Sequence, residues 1–302
     1  MHPRRPCRGA SGSRRRRIAP LSSGGLLMLE TLNQALLVFL PVAYGGTVTW
    51  YWLSVRGPDL IPRWRPQAWL VATVVLHAIL LVVRTSLLGQ LPWTTYYDTL
   101  LALSFLMSLT YLLVEFSARE ASTGMDLLPW PFVMVLYAAM FGHVEPKPNP
   151  ALDSPFFAMH TIPAIGGIAA ILVSGIYGGM YLKLERVIRG KRFGQFFERM
   201  PTLDVLSRMN FVAAATGLTL VTAAIGWGAT WYGEMFQQVN IFEPKIFLTL
   251  ICWTVLLVLV IGRLSRRWPD RLTALLSVAV ATIALISIVI PAFPFIAFHG
   301  HY

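Results

Sequence analysis

The chain has 302 residues, of which 56% are hydrophobic and 13% charged, with a formal net charge of +11. Its apolar residues gather in runs of roughly 18 to 25, the length a helix needs to cross ~30 Å of hydrocarbon, so the composition excludes a water-soluble globule and implies an integral membrane protein. These runs lack the alternation and the short length of barrel strands, which leaves helices as the only way to satisfy the backbone in lipid.

Residues 1–27, "MHPRRPCRGASGSRRRRIAPLSSGGLL", carry seven Arg and no acid. They read either as a disordered basic head or as sequence ahead of a true start at Met28. A head that binds nucleic acid or anionic lipid is the rival to the later start. Residues 28–302 read as a single transmembrane domain. The apolar runs fall at about 33–54, 68–88, 96–116, 127–143, 160–182, 209–232, 244–262 and 272–292. The expected fold is therefore an all-α, polytopic bundle of eight transmembrane helices. The fourth run is the least regular, with Pro129 and Pro131 near its start.

Lys and Arg are distributed unevenly between the loops. Placing the loops after spans 1, 3, 5 and 7 on one side collects Arg56, Arg63, Arg65, Arg119, Lys183, Arg186, Arg189, Lys191, Arg192, Arg199, Arg208, Arg263, Arg266, Arg267 and Arg271. The other side holds only Arg84, Lys147 and Lys245. By the positive-inside rule the first group is cytoplasmic and both chain ends are outside. The head with its seven Arg conflicts with that assignment, which is why a start at Met28 is attractive.

Cys7 lies in the head and Cys252 in the seventh run, so there is no C-x-x-C pair and no C-x-x-C-H attachment site for covalent haem. There is no phosphate-binding glycine loop, and nucleic acid is not expected as a partner of the membrane domain. Internal repeats of the transporter type are not visible. A solute transporter remains a third possibility, hinted at only by His77 and Arg84.

The histidines are more informative. By the topology, His143, His160, His299 and His301 all fall at the outer face, and His77 alone lies deep in the second run. Imidazole is a common axial ligand of haem iron, and histidines of different helices can meet over one cofactor. At helix ends an interfacial polar role is the simpler reading, and His143 and His301 are assigned to it. His77 needs a partner inside the membrane, either a neighbouring helix carbonyl or a metal. Arg84 follows on the same face one heptad later. It could meet the carboxylate of a ligand or reach out to lipid phosphate.

Span 5 presents Ala170, Ser174 and Gly178 at helical spacing, with Gly175 and Gly179, a surface on which other helices can pack closely. Between spans 6 and 7 the stretch "GWGATWYGEMFQQVNIFEPK" places Pro244 where a helix begins, with Glu243 beside its positive end. Its aromatic residues read equally as a membrane-surface belt or as a lip against a flat hydrophobic ligand.

The segment from Gly228 to Trp253 resembles the tryptophan-rich signature of the cytochrome c assembly family, haem-handling proteins that include CcsA, CcmC and HemX. Gly228, Ala229 and Trp231 match its start, Glu243, Pro244 and Lys245 stand at its Asp-Pro-Lys, and Trp253 closes it. The signature's central Trp-Gly, Tyr-Trp and last Trp are replaced by Phe236 and Gln237, Val239 and Asn240, and Phe242, and its second acid by Ile246.

Other segments resemble the family in order. "VVRTSLLGQLPWTTYYDTLLALSF" is similar to its R-x4-G-x-x-P-x4-Y-E-S segment, with Arg84, Gly89, Pro92 and Tyr97 kept and Asp98 in place of Glu. "MHTIPAIGGIAAILVSGIYGGMYL" resembles the span opened by the first outer-face histidine, at His160. "MPTLDVLSRMNFVAAATGLTLVT" is similar to the lead-in to the signature span, and "AFHGHY" resembles the closing L-H-S-Y, which puts the second outer-face histidine at His299.

The resemblance implies non-covalent haem b at the outer face, with His160 and His299 as axial, metal-binding residues. It places Trp231, Phe236, Phe242 and Glu243 along one edge, and Arg84 or Lys245 near the propionates. His77 is a further cofactor-binding candidate. However, Ile261 stands where the family's second deep histidine falls, which argues against a bis-histidine haem in mid-membrane. The implied role is presentation of haem to the thiols of apocytochrome c, with a CcsB/ResB-type membrane partner, in a bacterial inner membrane. Any enzyme activity would be a share in a haem lyase (holocytochrome c synthase) system. The alternative is a HemX-like scaffold or complex subunit that has lost haem transfer.

Overall fold

The computed structural model describes residues 23–57, 62, 64–92, 95–141, 155–191, 194–235, 244–265 and 267–289, with the backbone alone at 23, 231–235, 244–245 and 289. Among these, every regular element is helical: α1 (Ser23–Arg56), α2 (Trp64–Leu88), α3 (Tyr96–Ala118), α4 (Gly124–Leu127), α5 (Pro129–Phe141), α6 (Pro155–Arg189), α7 (Gln195–Arg199), α8 (Leu203–Met235), α9 (Pro244–Leu264) and α10 (Asp270–Val289). Among the described residues eight segments are long and apolar enough to cross a membrane, α4 and α5 together forming the fourth. The expected polytopic bundle is what the chain forms.

The boundaries follow local chemistry. Gly89, just past α2, has φ +64, a left-handed conformation that glycine enters without Cβ strain. Thr95 caps α3, its side-chain oxygen accepting from the Asp98 amide. The fourth span is broken at Leu128. Pro129, which has no amide hydrogen to donate, opens α5 as its first residue. Pro244 opens α9 in the same way, as its sequence position implies. The fifth span starts earlier than its apolar run, at Pro155, so His160 lies in the second turn of α6 rather than at its first residue.

Helix α6 lies at the centre, packed on α8, α10 and α3, while α1 and α2 pair at one side and α9 and α10 at the other. The small residues of α6 make this possible. An added Cβ at Gly175 would lie 2.2 Å from that of Ala281, and one at Gly178 would lie 2.7 Å from the Ala274 carbonyl, so both glycines set the closeness of α6 and α10. Gly179 does not share this role, having nothing within 4 Å. Ser174 of α6 and Ser277 of α10 both donate to Asn210 Oδ1 of α8, at 2.7 and 2.8 Å. Lipid gives helices no hydrophobic reason to associate, so close packing and such bonds hold them, each bond contributing about 0.6 kcal/mol.

The two ends of the bundle differ in charge. At one end Arg199 grips both oxygens of Asp126 at 3.0 Å, Arg263 pairs with Asp270, and Glu185 meets Arg189 at 2.6 Å and Arg271 at 3.5 Å. Arg208 donates to the Ser117 carbonyl of α3 at 3.2 Å. Beneath them Tyr51 of α1 donates to the buried Glu115 of α3 at 2.6 Å. These links bring the ends of α1, α3, α6, α8, α9 and α10 to one basic end. Arg84 and His160 lie at the other.

Candidate functional site

The site is built from the first turns of α6 and the last turns of α8. His160 is half-buried, and its Nδ1 lies 2.8 Å from the Ala224 carbonyl oxygen of α8. A carbonyl only accepts, so Nδ1 carries the proton and Nε2 keeps the lone pair, the arrangement usual for a metal-binding imidazole. One turn along α8, Gly228 faces the same ring: a Cβ there would lie 2.7 Å from His160 Nδ1 and 3.0 Å from Cε1. Only a residue without a side chain fits beneath that imidazole. The opening glycine of the tryptophan-rich signature thus makes room for His160.

Aromatic residues surround this junction. Phe156, one turn before His160, packs on Trp227 with ring centroids 6.3 Å apart, and Trp227 remains 40% exposed at the edge. Trp253, which closes the signature, donates from Nε1 to Thr222 Oγ1 at 2.9 Å and so ties α9 to α8. Trp231 continues α8 and Lys245 lies in the first turn of α9, both as backbone only. Phe236, Phe242, Glu243 and His299 lie outside the described residues, as do His143 and His301.

Arg84 and Asp98 form a second arrangement at this end. Arg84 Nη2 donates to Asp98 Oδ1 at 2.5 Å, and Thr95 Oγ1 donates to Oδ2 at 2.8 Å. The Asp98 side chain is fully buried and that of Arg84 is 12% exposed. The carboxylate that Arg84 meets therefore belongs to the chain itself. The pair closes the α2–α3 turn through two residues of the R-x4-G segment. Arg84 Nε is buried and has no hydrogen-bond partner among the described residues. In the sequence Arg84 and Asp98 belong to separate apolar runs. The Thr95-x-x-Asp98 capping spacing was the signal that Asp98 sits fixed at a helix start.

His77 belongs to a different neighbourhood. It is fully buried, with Nδ1 3.0 Å from the Tyr44 hydroxyl, which in turn is 3.0 Å from Ser108 Oγ. Tyr44 and Phe105 meet its ring edge-on at 5.8 and 5.4 Å, and Nε2 has no hydrogen-bond partner among the described residues. Its partner is a side-chain hydroxyl of α1 rather than a helix carbonyl. His77 is held by α1 and α3, His160 by α8. Among the described residues no three His, Cys, Asp or Glu side chains gather as a cage for a metal ion.

The sequence pattern of the cytochrome c assembly proteins matches residues 93–293, from just ahead of α3 to just beyond α10. The chain belongs to the cytochrome c assembly protein family. It is 27% identical over 269 residues to the cytochrome c biogenesis protein CcsA of Synechococcus sp. (strain CC9902), covering 80% of this chain and 85% of that one. It is 26% identical over 275 residues to the protein of that name from Prochlorococcus marinus (strain NATL1A), covering 81% and 84%. To that of Chlamydomonas reinhardtii it is 24% identical over 221 residues, covering 70% and 61%. The family match takes in Asp98, His160, Ala224, Gly228 and Trp253. Arg84 and His77 precede it, and His299 follows it.

Proposed function

We propose that this multi-pass membrane protein serves cytochrome c biogenesis by holding haem b non-covalently at the end of the bundle opposite the basic loops and presenting it to apocytochrome c. The positive-inside distribution supports a cytoplasmic basic end, which would put His160 at the outer face. The observation that carries the reading is the His160 imidazole, oriented by the Ala224 carbonyl and seated over the signature glycine.

The residues present suit such a substrate. His160 offers Nε2 as an axial donor, with His299 proposed as the second. Phe156 and Trp227 supply flat apolar surface at the membrane edge. Arg84, its charge shared with Asp98, and Lys245 are proposed as the propionate partners. Nitrogens from His160 and His299 would together saturate the iron, which would favour delivery or electron storage over oxygen chemistry. The chain's own task is to orient one imidazole, keep lipid and water off the iron and release the substrate to the thiols of the acceptor. The relatives it matches are named for cytochrome c biogenesis, which supports apocytochrome c as the acceptor; a CcsB/ResB-type partner would supply docking and reductant.

A pyridine haemochrome assay on the purified full chain is expected to report haem b. Replacing His160 and His299 together by Ala abolishes the Soret band if the proposal holds. An unchanged spectrum removes both ligands from the account, and haem-free wild-type protein would leave a scaffold role.

A further inference from the structure

At the basic end, a groove of about 310 Å³ runs between α1 and α2, lined by Trp50, Trp64, Arg65, Ala68 and Trp69. It is unrelated to His160 and unused by the proposed function. We propose that it is a site for one anionic phospholipid of the leaflet at that end.

The walls are indole rings. Trp50 and Trp69 lie 6.5 Å apart at 53°, and Trp69 packs so closely on α1 that a Cβ at Gly46 would lie 3.0 Å from its Nε1. Gly46 thus lets Trp69 line the floor, while Trp64, 62% exposed, forms the rim. Tryptophan prefers the headgroup level of a bilayer, with its apolar face toward the acyl chains.

The charge selects the headgroup. Arg65 lines the groove and sits over the Trp64 ring at 5.7 Å, and it forms no ion pair with a described Asp or Glu. A guanidinium beside an indole, with no described carboxylate paired to it, suits a phosphate oxyanion. Trp69 lies one turn deeper along α2 than Arg65, about 6 Å further into the membrane. A lipid seated here would place its phosphate at Arg65 and run one chain down past Trp50 and Trp69.

The test is native mass spectrometry of the full chain released from micelles containing phosphatidylglycerol or phosphatidylcholine. One phosphatidylglycerol is expected to stay bound in preference to phosphatidylcholine. Arg65→Gln should weaken its retention roughly fivefold, as expected for one cation near an anionic headgroup. Arg56→Gln, which removes the same charge from a guanidinium stacked on Trp52 outside the groove, should leave it unchanged. Trp69→Ala keeps every charge but removes the floor, and should also weaken retention, which keeps the test decisive if Arg65→Gln does not fold. Equal retention of both lipids would reduce the groove to an aromatic belt and overturn the site. Equal losses from Arg65→Gln and Arg56→Gln, or unaltered binding by Trp69→Ala, would overturn it as well.

Discussion

Two histidines define two regions of this bundle with opposite chemistry. On the His77 side, formed by α1, α2 and α3, polar groups turn toward one another: Tyr44 bridges His77 and Ser108 in the middle of the bundle, and Arg84 meets Asp98 at the end opposite the basic loops. Around His160 the imidazole is aimed by a backbone carbonyl and sits half-buried beside the exposed edge of Trp227. The first region is built for cohesion in lipid, where an unpaired polar group is costly. The second presents a directed donor at the membrane boundary. Depth in the membrane alone is therefore a poor guide to how a histidine is held.

The largest effect expected from breaking this contrast is at Asp98. Asp98→Ala leaves Arg84 as a buried, uncompensated charge, and thermal unfolding in detergent should report a loss of about 3–5 kcal/mol. Replacing Arg84 and Asp98 together by apolar residues of similar size should recover most of that loss, since the pair itself is close to neutral. If both variants are equally unstable, Arg84 has a further role beyond the pair.

Gly228→Ala sharpens the other region. The new methyl group cannot share space with His160 Nδ1, so the ring tilts and the Ala224 bond breaks. Haem affinity is expected to fall about 10–100-fold, the usual cost of losing the group that orients a ligand, with little change in melting. Titration with haem, followed at the Soret band, measures it. By contrast, His77→Phe should leave the haem content as in the wild type and lower stability by about 1 kcal/mol, the worth of one hydrogen bond. A lost Soret band in that variant would move the site to mid-membrane. The smallest effect belongs to Ser277→Ala, which removes one of two donors to Asn210 and should cost about 0.6 kcal/mol.

The spans were legible because each is a contiguous apolar run, and Pro244 marked a helix start by its own geometry. The close-packing face of α6 was legible in Gly175 and Gly178, although Gly179 shares their spacing without sharing their contact. What could not be read was partner choice. Arg84 and Asp98 both stood out, but whether an arginine meets lipid phosphate, a ligand or its neighbour depends on how α2 and α3 turn about their axes. The same holds for His77, whose partner Tyr44 is 33 residues away, and for Glu115, whose partner Tyr51 is 64 residues away. Gly228 was legible as part of a motif, yet its reason, the nearness of the His160 ring, appears only when α6 and α8 are packed together.

The most direct measurement replaces His160 by Gly in the full chain and records the Soret band with and without added imidazole. The account predicts that the band is lost or shifted in the variant and restored when free imidazole fills the space the side chain left. A wild-type spectrum in His160→Gly, insensitive to imidazole, would contradict the claim that this histidine holds the iron.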